Sequence, residues 1–222
     1  DLLIATDPDC DRVGIAVKAE DGSYRLLSGN ETGVLLLDYI CSRRMESGRM
    51  PDNPVFIKTI VTSGLAERVA ESYGVKTINV LTGFKYIGEK MEQFKASGEY
   101  TFLFGFEESI GFLGGSYARD KDAVYAAMMM AEMACWYKAR GMSVYDGLIA
   151  LYEKYGWFIE NTESTVFAGF DSAEKREAVM ARIRENAPEE IGLKVESVTD
   201  YLGDVPGFTK SNVLFYNLAD GC

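Results

Sequence analysis

Histidine is missing from all 222 residues, and that single absence removes a large share of enzyme chemistry. No Ser-His-Asp or Cys-His arrangement can be built, and zinc loses one of its main ligands. The four cysteines, at positions 10, 41, 135 and 222, show no C-x-x-C spacing, which argues further against a zinc site. Scattered thiols of this kind point to the cytoplasm. Basic residues are scarce beside acidic ones: 23 Lys and Arg stand against 34 Asp and Glu, a net charge of −11. That balance argues against nucleic acid as a partner, because affinity for a phosphate backbone rests on clustered Lys and Arg. No apolar run reaches the length of a membrane span, so no membrane role is expected.

What is present is the composition of a globular protein, 47% hydrophobic and 26% charged. The length allows one large or two modest domains. The most informative stretch lies at the start, where Leu2 to Ala5 reads as a buried strand ending in Asp7-Pro8-Asp9-Cys10-Asp11-Arg12. Alternate spacing in a turn can bring three carboxylates around one point. Held that close they repel one another unless a cation sits among them, and all-oxygen ligands suit magnesium or calcium. An EF-hand is excluded, since its loop requires Gly at the sixth position and Glu at the twelfth. Counting from Asp7, those places hold Arg12 and Lys18. A polar turn of Asp and Pro is the alternative reading. Arg12 favours the ion, because its fork of donors suits a phosphate oxygen beside a metal.

Further on, Val13 to Lys18 and Tyr24 to Leu27 read as a hairpin turning at Asp21-Gly22, and Asn30 as the cap of a helix carrying Val34, Leu37 and Cys41. Strands at 55–60, 77–81 and 100–106 then alternate with helices around Leu65 to Tyr73 and Tyr86 to Lys95. This rhythm predicts an α/β fold, a three-layer α/β/α domain with a mixed sheet, followed by an incomplete α+β domain. A long helix over 121–140 is expected to bury Val124, Met128, Ala131 and Cys135 and to use Met128-Met129-Met130 for packing. Ser143 caps another helix, which Gly156 closes. Beyond it, 157–167 reads as a strand, Asp171 as a helix cap, and 194–198 and 212–216 as strands. The expected domains are 1–29 with the acidic loop, 30–156, and a partial 157–222. A start inside a strand and a stop at Asp220-Gly221-Cys222 suggest a piece of a longer protein.

A second chemical stretch is Phe104-Gly105-Phe106-Glu107-Glu108-Ser109-Ile110-Gly111. Two carboxylates and a hydroxyl directly after a strand stand where open α/β sheets bind ligands, and carboxylates commonly fix the hydroxyls of a sugar. A solvated turn explains the same residues when they are taken alone.

Together these stretches resemble the α-D-phosphohexomutases. Asp7 to Arg12 is similar to their magnesium loop D-G-D-G-D-R, with Pro8 and Cys10 in place of Gly. Phe106 to Gly111 resembles the sugar loop G-E-E-S-F-G, with Glu108 tilting toward glucose. Val61-Thr62-Ser63-Gly64 and Thr82-Gly83-Phe84-Lys85 are similar to T-S-G and T-G-W-K, and Arg119-Asp120-Lys121-Asp122 to R-E-K-D. The resemblance runs from Asp1 to about Cys222, and it implies Asp7, Asp9 and Asp11 as metal ligands. Arg12 and Lys121 become catalytic, and Glu107, Ser109, Thr82, Gly83 and Lys85 contact the substrate. It further implies Mg²⁺ as cofactor, glucose 1,6-bisphosphate as intermediate or activator, and a small phosphosugar as partner. The implied reaction interconverts glucose 1-phosphate and glucose 6-phosphate through a phosphoserine. Phosphomannomutase, phosphopentomutase, sugar-bisphosphate synthase and a non-catalytic phosphosugar or metal module are the alternatives. The family's phosphoserine loop and phosphate clamp are not in this sequence, so the chain alone is expected to be inactive. Arg119 and Asp122, and Asp120 as a cap, also fit a charged helix start.

Overall fold

The acidic loop joins two antiparallel strands, β1 (Leu2–Thr6) and β2 (Val13–Lys18), paired from Thr6 opposite Val13 to Leu2 opposite Val17. β3 (Tyr24–Leu26) pairs with the far side of β2, completing a sheet in the order β1-β2-β3. The computed structural model describes residues 1–19 and 21–219, so the segment Asp220-Gly221-Cys222 lies outside it. Alternation along β2 buries Val13, Ile15 and Val17. β1 departs from expectation, because it is an edge strand with Leu3 and Ile4 exposed. An apolar run predicts a strand but does not say how many of its sides are covered.

The next helix, α1 (Gly29–Glu46), is capped by Ser28 rather than Asn30. Ser28 Oγ accepts the Glu31 N–H at 3.1 Å, and the Glu31 carboxylate accepts the Ser28 N–H at 2.8 Å. This reciprocal box needs a Glu three residues after the cap, which Ser28 has and Asn30 lacks. Asn30 is instead buried, and its Oδ1 accepts the Ser63 N–H at 3.1 Å. α1 is buried on nearly every side, Val34 through Leu37 included.

Around it fold β4 (Pro54–Thr59), α2 (Leu65–Ser72), β5 (Lys76–Val80), α3 (Phe84–Ser97), β6 (Thr101–Glu107) and β7 (Gly111–Gly114). The sheet order is β5-β4-β6-β7, with β5 and β6 parallel to β4 and β7 antiparallel to β6. One core packs α1 and α2 against Phe56, Phe104 and Phe106, and another packs Ile87, Met91 and Phe94 of α3 against Val55, Ile57 and Leu113. Helices therefore cover both faces of a mixed sheet, the three-layer α/β/α arrangement. With β4, β5 and β6 parallel, their carboxyl ends gather along one edge.

The two helices that follow are α4 (Ala123–Lys138) and α5 (Val144–Tyr155). α4 buries Ala123, Ala126, Met130, Met133 and Tyr137, while Val124 and Met128 are 69% and 57% exposed, which overturns the expected stripe. Both stripes have helical spacing and both are apolar, so the pattern could not choose between them. Of the Met run only Met130 is buried, with Met129 partly so. α5 matches expectation, with a Ser143–Asp146 capping box and Gly156 at its end.

Internal contacts divide the chain into Asp1–Glu160 and Asn161–Cys222, which keeps residues 1–29 with the α/β/α layers. The second unit holds α6 (Ser172–Glu185), β8 (Glu190–Ile191), β9 (Leu193–Asp200) and β10 (Leu214–Leu218), with the antiparallel order β10-β9-β8. The stretch 157–167 forms no strand, since no ladder partner pairs with it, and Ile159 and Val166 are almost fully exposed. Asp171 stands at the start of α6 but makes no cap bond; its carboxylate pairs with Lys175 at 3.0 Å. Among the described residues, no helix is long and apolar enough to cross a membrane.

Candidate active site

The acidic loop is shaped by its own backbone. Cys10 N–H donates to Asp7 O at 3.1 Å, and Asp7 N–H to Arg12 O at 3.3 Å. The turn places Cys10 at φ 59°, a left-handed conformation that costs a non-glycine residue about 1 kcal/mol. In return, carboxylate oxygens of Asp7, Asp9 and Asp11 come within 4.8 Å of one another. The Arg12 N–H, 3.1 Å from Asp7 Oδ1, holds the Asp7 carboxyl below the usual range. This donor set of carboxylate oxygens suits a hard divalent cation.

Positive charge approaches from α4's leading segment. Lys121 Nζ lies 3.0 Å from Asp11 Oδ2 and 2.9 Å from Asp120 Oδ1. Burial opposes the lysine's charge, but these two carboxylates outweigh it and raise its pKa above the ordinary value. Lys121 is thus a firmly protonated cation beside the acidic cluster. The Arg12 guanidinium is half-exposed, with Nε 3.9 Å from Asp11.

Backbone bonds lock the acidic loop to the β6–β7 turn and to the start of α4. Val13 N–H donates to Ile110 O at 3.1 Å, Arg12 bridges to Gly111, and Ala123 N–H donates to Cys10 O at 3.2 Å. At the end of β6, Glu107 is 5% exposed and accepts the Gly83 N–H at 2.8 Å. Burial pushes its carboxyl up, against the pull of the Gly83 N–H, Lys121 and Arg12. Ser109 is exposed, and Ile110 holds φ 60°, a rare value for a β-branched residue.

Of the expected residues, Asp7, Asp9, Asp11, Arg12, Lys121, Glu107, Ser109 and Gly83 therefore fall on four neighbouring segments: the acidic loop, the lead-in to α4, the β6–β7 turn and the turn after β5. Thr82 and Lys85 are exposed on the Gly83 turn, with the Lys85 ammonium 4.8 Å from the Tyr86 ring centre. Phe84 is buried and its ring lies 5.4 Å from Lys121 Nζ. Arg119 instead pairs with Glu92 and donates to Ser116 O and Ala118 O. Asp122, not Asp120, caps α4, accepting from Val124 and Tyr125 N–H. A buried polar group formed by Lys58, Thr59 and Thr62 was only partly read from the sequence: Thr62 falls in the T-S-G-like segment, while Lys58 and Thr59 were not singled out. Its available signal was an ionisable residue inside an otherwise apolar strand, Pro54 to Thr59.

Fold and site together define an α/β/α domain with an acidic loop packed at the carboxyl ends of its strands. Residues 28–155 match the family model "Phosphoglucomutase/phosphomannomutase, alpha/beta/alpha domain III". Over 203 residues, 91% of the chain, the sequence is 37% identical to a phosphoglucomutase of Staphylococcus aureus strain USA300. The chain spans 36% of the length of that relative. Among solved structures, Paramecium pp63/parafusin, a phosphoglucomutase in its open form, aligns over 98% of this chain and 36% of its own. Its TM-score is 0.62 at 17% identity. A phosphoglucomutase/phosphomannomutase family protein from Burkholderia thailandensis aligns over 90% of this chain and 36% of its own, with TM-score 0.56 at 17% identity. The chain belongs to the phosphoglucomutase/phosphomannomutase family, within the α-D-phosphohexomutase superfamily.

Proposed function

We propose that the full-length protein is a phosphohexomutase that moves a phosphoryl group between the 1- and 6-positions of glucose, through a phosphoserine supplied from outside these 222 residues and a glucose 1,6-bisphosphate intermediate. The observation that carries this reading is the convergence of Asp7, Asp9 and Asp11, with Lys121 3.0 Å from Asp11. Asp7, Asp9 and Asp11 would hold Mg²⁺, which when bound supplies charge neutralisation to a phosphoryl group. Arg12, fixed by its backbone bonds on both sides, presents its guanidinium to a phosphoryl oxygen. Lys121, 3.0 Å from Asp11, serves as an acid or as a cationic partner of the phosphate. Glu107 and Ser109 accept and orient hexose hydroxyls, with the Thr82, Gly83 and Lys85 turn facing the same substrate. Residues 1–29, 30–156 and 157–222 then correspond to the end of a second domain, a complete third and part of a fourth. The free thiols of Cys10, Cys41 and Cys135 support a cytoplasmic location.

Rates of the full-length protein on glucose 1-phosphate, mannose 1-phosphate and ribose 1-phosphate test the reading, with glucose expected to be fastest. Replacing Asp7, Asp9 and Asp11 together by Asn is expected to lower turnover by at least about a thousandfold. Full turnover in that triple variant refutes the metal assignment. Sugar-phosphate binding without turnover in the unaltered protein identifies a binding module instead.

A further inference from the structure

A charged side chain inside a parallel strand is costly unless it is paired and hydrogen-bonded. Lys58 is 2% exposed on β4, where its neighbours Val55, Phe56 and Ile57 are fully buried. Its Nζ meets Glu67 Oε1 at 2.9 Å, Thr62 O at 2.9 Å and Thr59 O at 3.4 Å. The cation therefore ties together both ends of the turn that leaves β4. Within that turn the Thr59 and Thr62 hydroxyls lie 2.7 Å apart, and both face Glu108 Oε2, at 3.3 and 3.5 Å. Two hydroxyls carry two protons. One bridges the pair, and the other is left for the carboxylate. The Glu108 backbone is also met by α1, where a Cβ built on Gly29 would come 2.0 Å from the Glu108 carbonyl oxygen.

We propose that Glu108 is a positioning residue: its carboxylate, docked on the Thr59–Thr62 hydroxyl pair that Lys58 holds, sets the Glu107–Ile110 turn so that Glu107 and Ser109 face a hexose. Glu107 and Glu108 then have separate tasks. Glu107 is anchored to the turn after β5 through Gly83, and Glu108 to the end of β4, so the loop between β6 and β7 hangs from the carboxyl ends of the other two parallel strands. The second of two adjacent carboxylates is a strut rather than a sugar contact.

The kinetic half of this proposal rests on the phosphohexomutase reading; the structural half does not. In the full-length protein, Thr59→Val keeps shape and removes the hydroxyl, Thr59→Ser keeps the hydroxyl, and Glu108→Gln weakens the acceptor. Thr59→Val is expected to raise KM for glucose 1-phosphate about tenfold while kcat stays within about twofold, and Thr59→Ser to restore KM. Thr59→Val combined with Glu108→Gln should be no worse than the poorer single variant, because the hydroxyl acts through the carboxylate. Amide hydrogen exchange over residues 107–112 should quicken in Thr59→Val, in Glu108→Gln and in the volume-conserving Lys58→Met, and not in Thr59→Ser. Unchanged exchange over 107–112 in Thr59→Val overturns the proposal, as does full additivity of the two substitutions. If the unaltered protein turns over no hexose phosphate, the function reading fails by itself and the exchange measurement still decides this one.

Discussion

Glu107, the proposed hexose contact, is held at some cost to the fold. Its carboxyl is buried with one backbone donor, and burial raises its pKa above the ordinary 4.5. The unfolded chain ionises near 4.5, whereas the folded chain keeps the proton to higher pH, so native stability falls as pH rises through that window. A neutral Glu107→Gln side chain still accepts the Gly83 N–H and escapes the penalty. Its melting temperature is expected to exceed that of the unaltered protein at pH 7, with the gap closing as pH drops below 4.5. A gap that is constant or widens on acidification refutes the buried-carboxylate account. Binding of the hexose should weaken in the same variant, because the charged acceptor is lost. At this scale the sequence was readable where the candidate residues sit in loops: alternate aspartates in one turn, and a lysine two residues ahead of Ala123, the first residue of α4. It was opaque at Lys58, because burial is a property of the surrounding fold, and at Asp120 and Asp122, where two equivalent cap residues differ only in which one the helix start reaches.

Elements carry the site through close approaches that no side chain announces. α1 passes so near the β6–β7 turn that Gly29 faces the Glu108 carbonyl, and Gly33, one turn on, lies against the Phe106 ring with a built Cβ 2.3 Å away. Overpacking of this kind costs about 1–3 kcal/mol. Gly29→Ala and Gly33→Ala should therefore destabilise comparably, yet only Gly29→Ala pushes directly on the backbone of the Glu108 turn. Its KM for glucose 1-phosphate is expected to rise, whereas Gly33→Ala mainly lowers the melting temperature. Equal kinetic effects in the two variants remove the distinction. The strand and helix order was legible because β4, β5 and β6 are short apolar runs separated by helical patterns. The buried face of α4 was not. Val124 and Met128 are as apolar as Met130 and Met133, and the choice was made by where Ala123 and Ala126 let the helix approach its neighbours.

For the whole molecule, the two units differ sharply in how much they bury. Among the described residues, Tyr201 is the only apolar side chain past Glu160 that is buried, and α6 buries none. All residues of the candidate site precede Glu160, in the unit that also holds two apolar clusters, one including Phe56, Phe104 and Phe106 and the other Ile87. Between the units the chain has no helix or strand from 161 to 168, although Trp157 still stacks on Tyr152 with ring centres 4.7 Å apart. Local opening follows burial, so limited proteolysis of this chain should cut first after Asn161, remove the second unit, and leave a protected piece holding Asp7 through Lys121. That piece should keep the divalent-cation-dependent rise in melting temperature of the uncut chain, since ligands that bind the native state alone stabilise it by mass action. Asp7→Asn together with Asp9→Asn should abolish the rise in both. Early cuts within residues 30–150, or a rise that disappears with the second unit, contradict the assignment of cation site and stability to the first 160 residues.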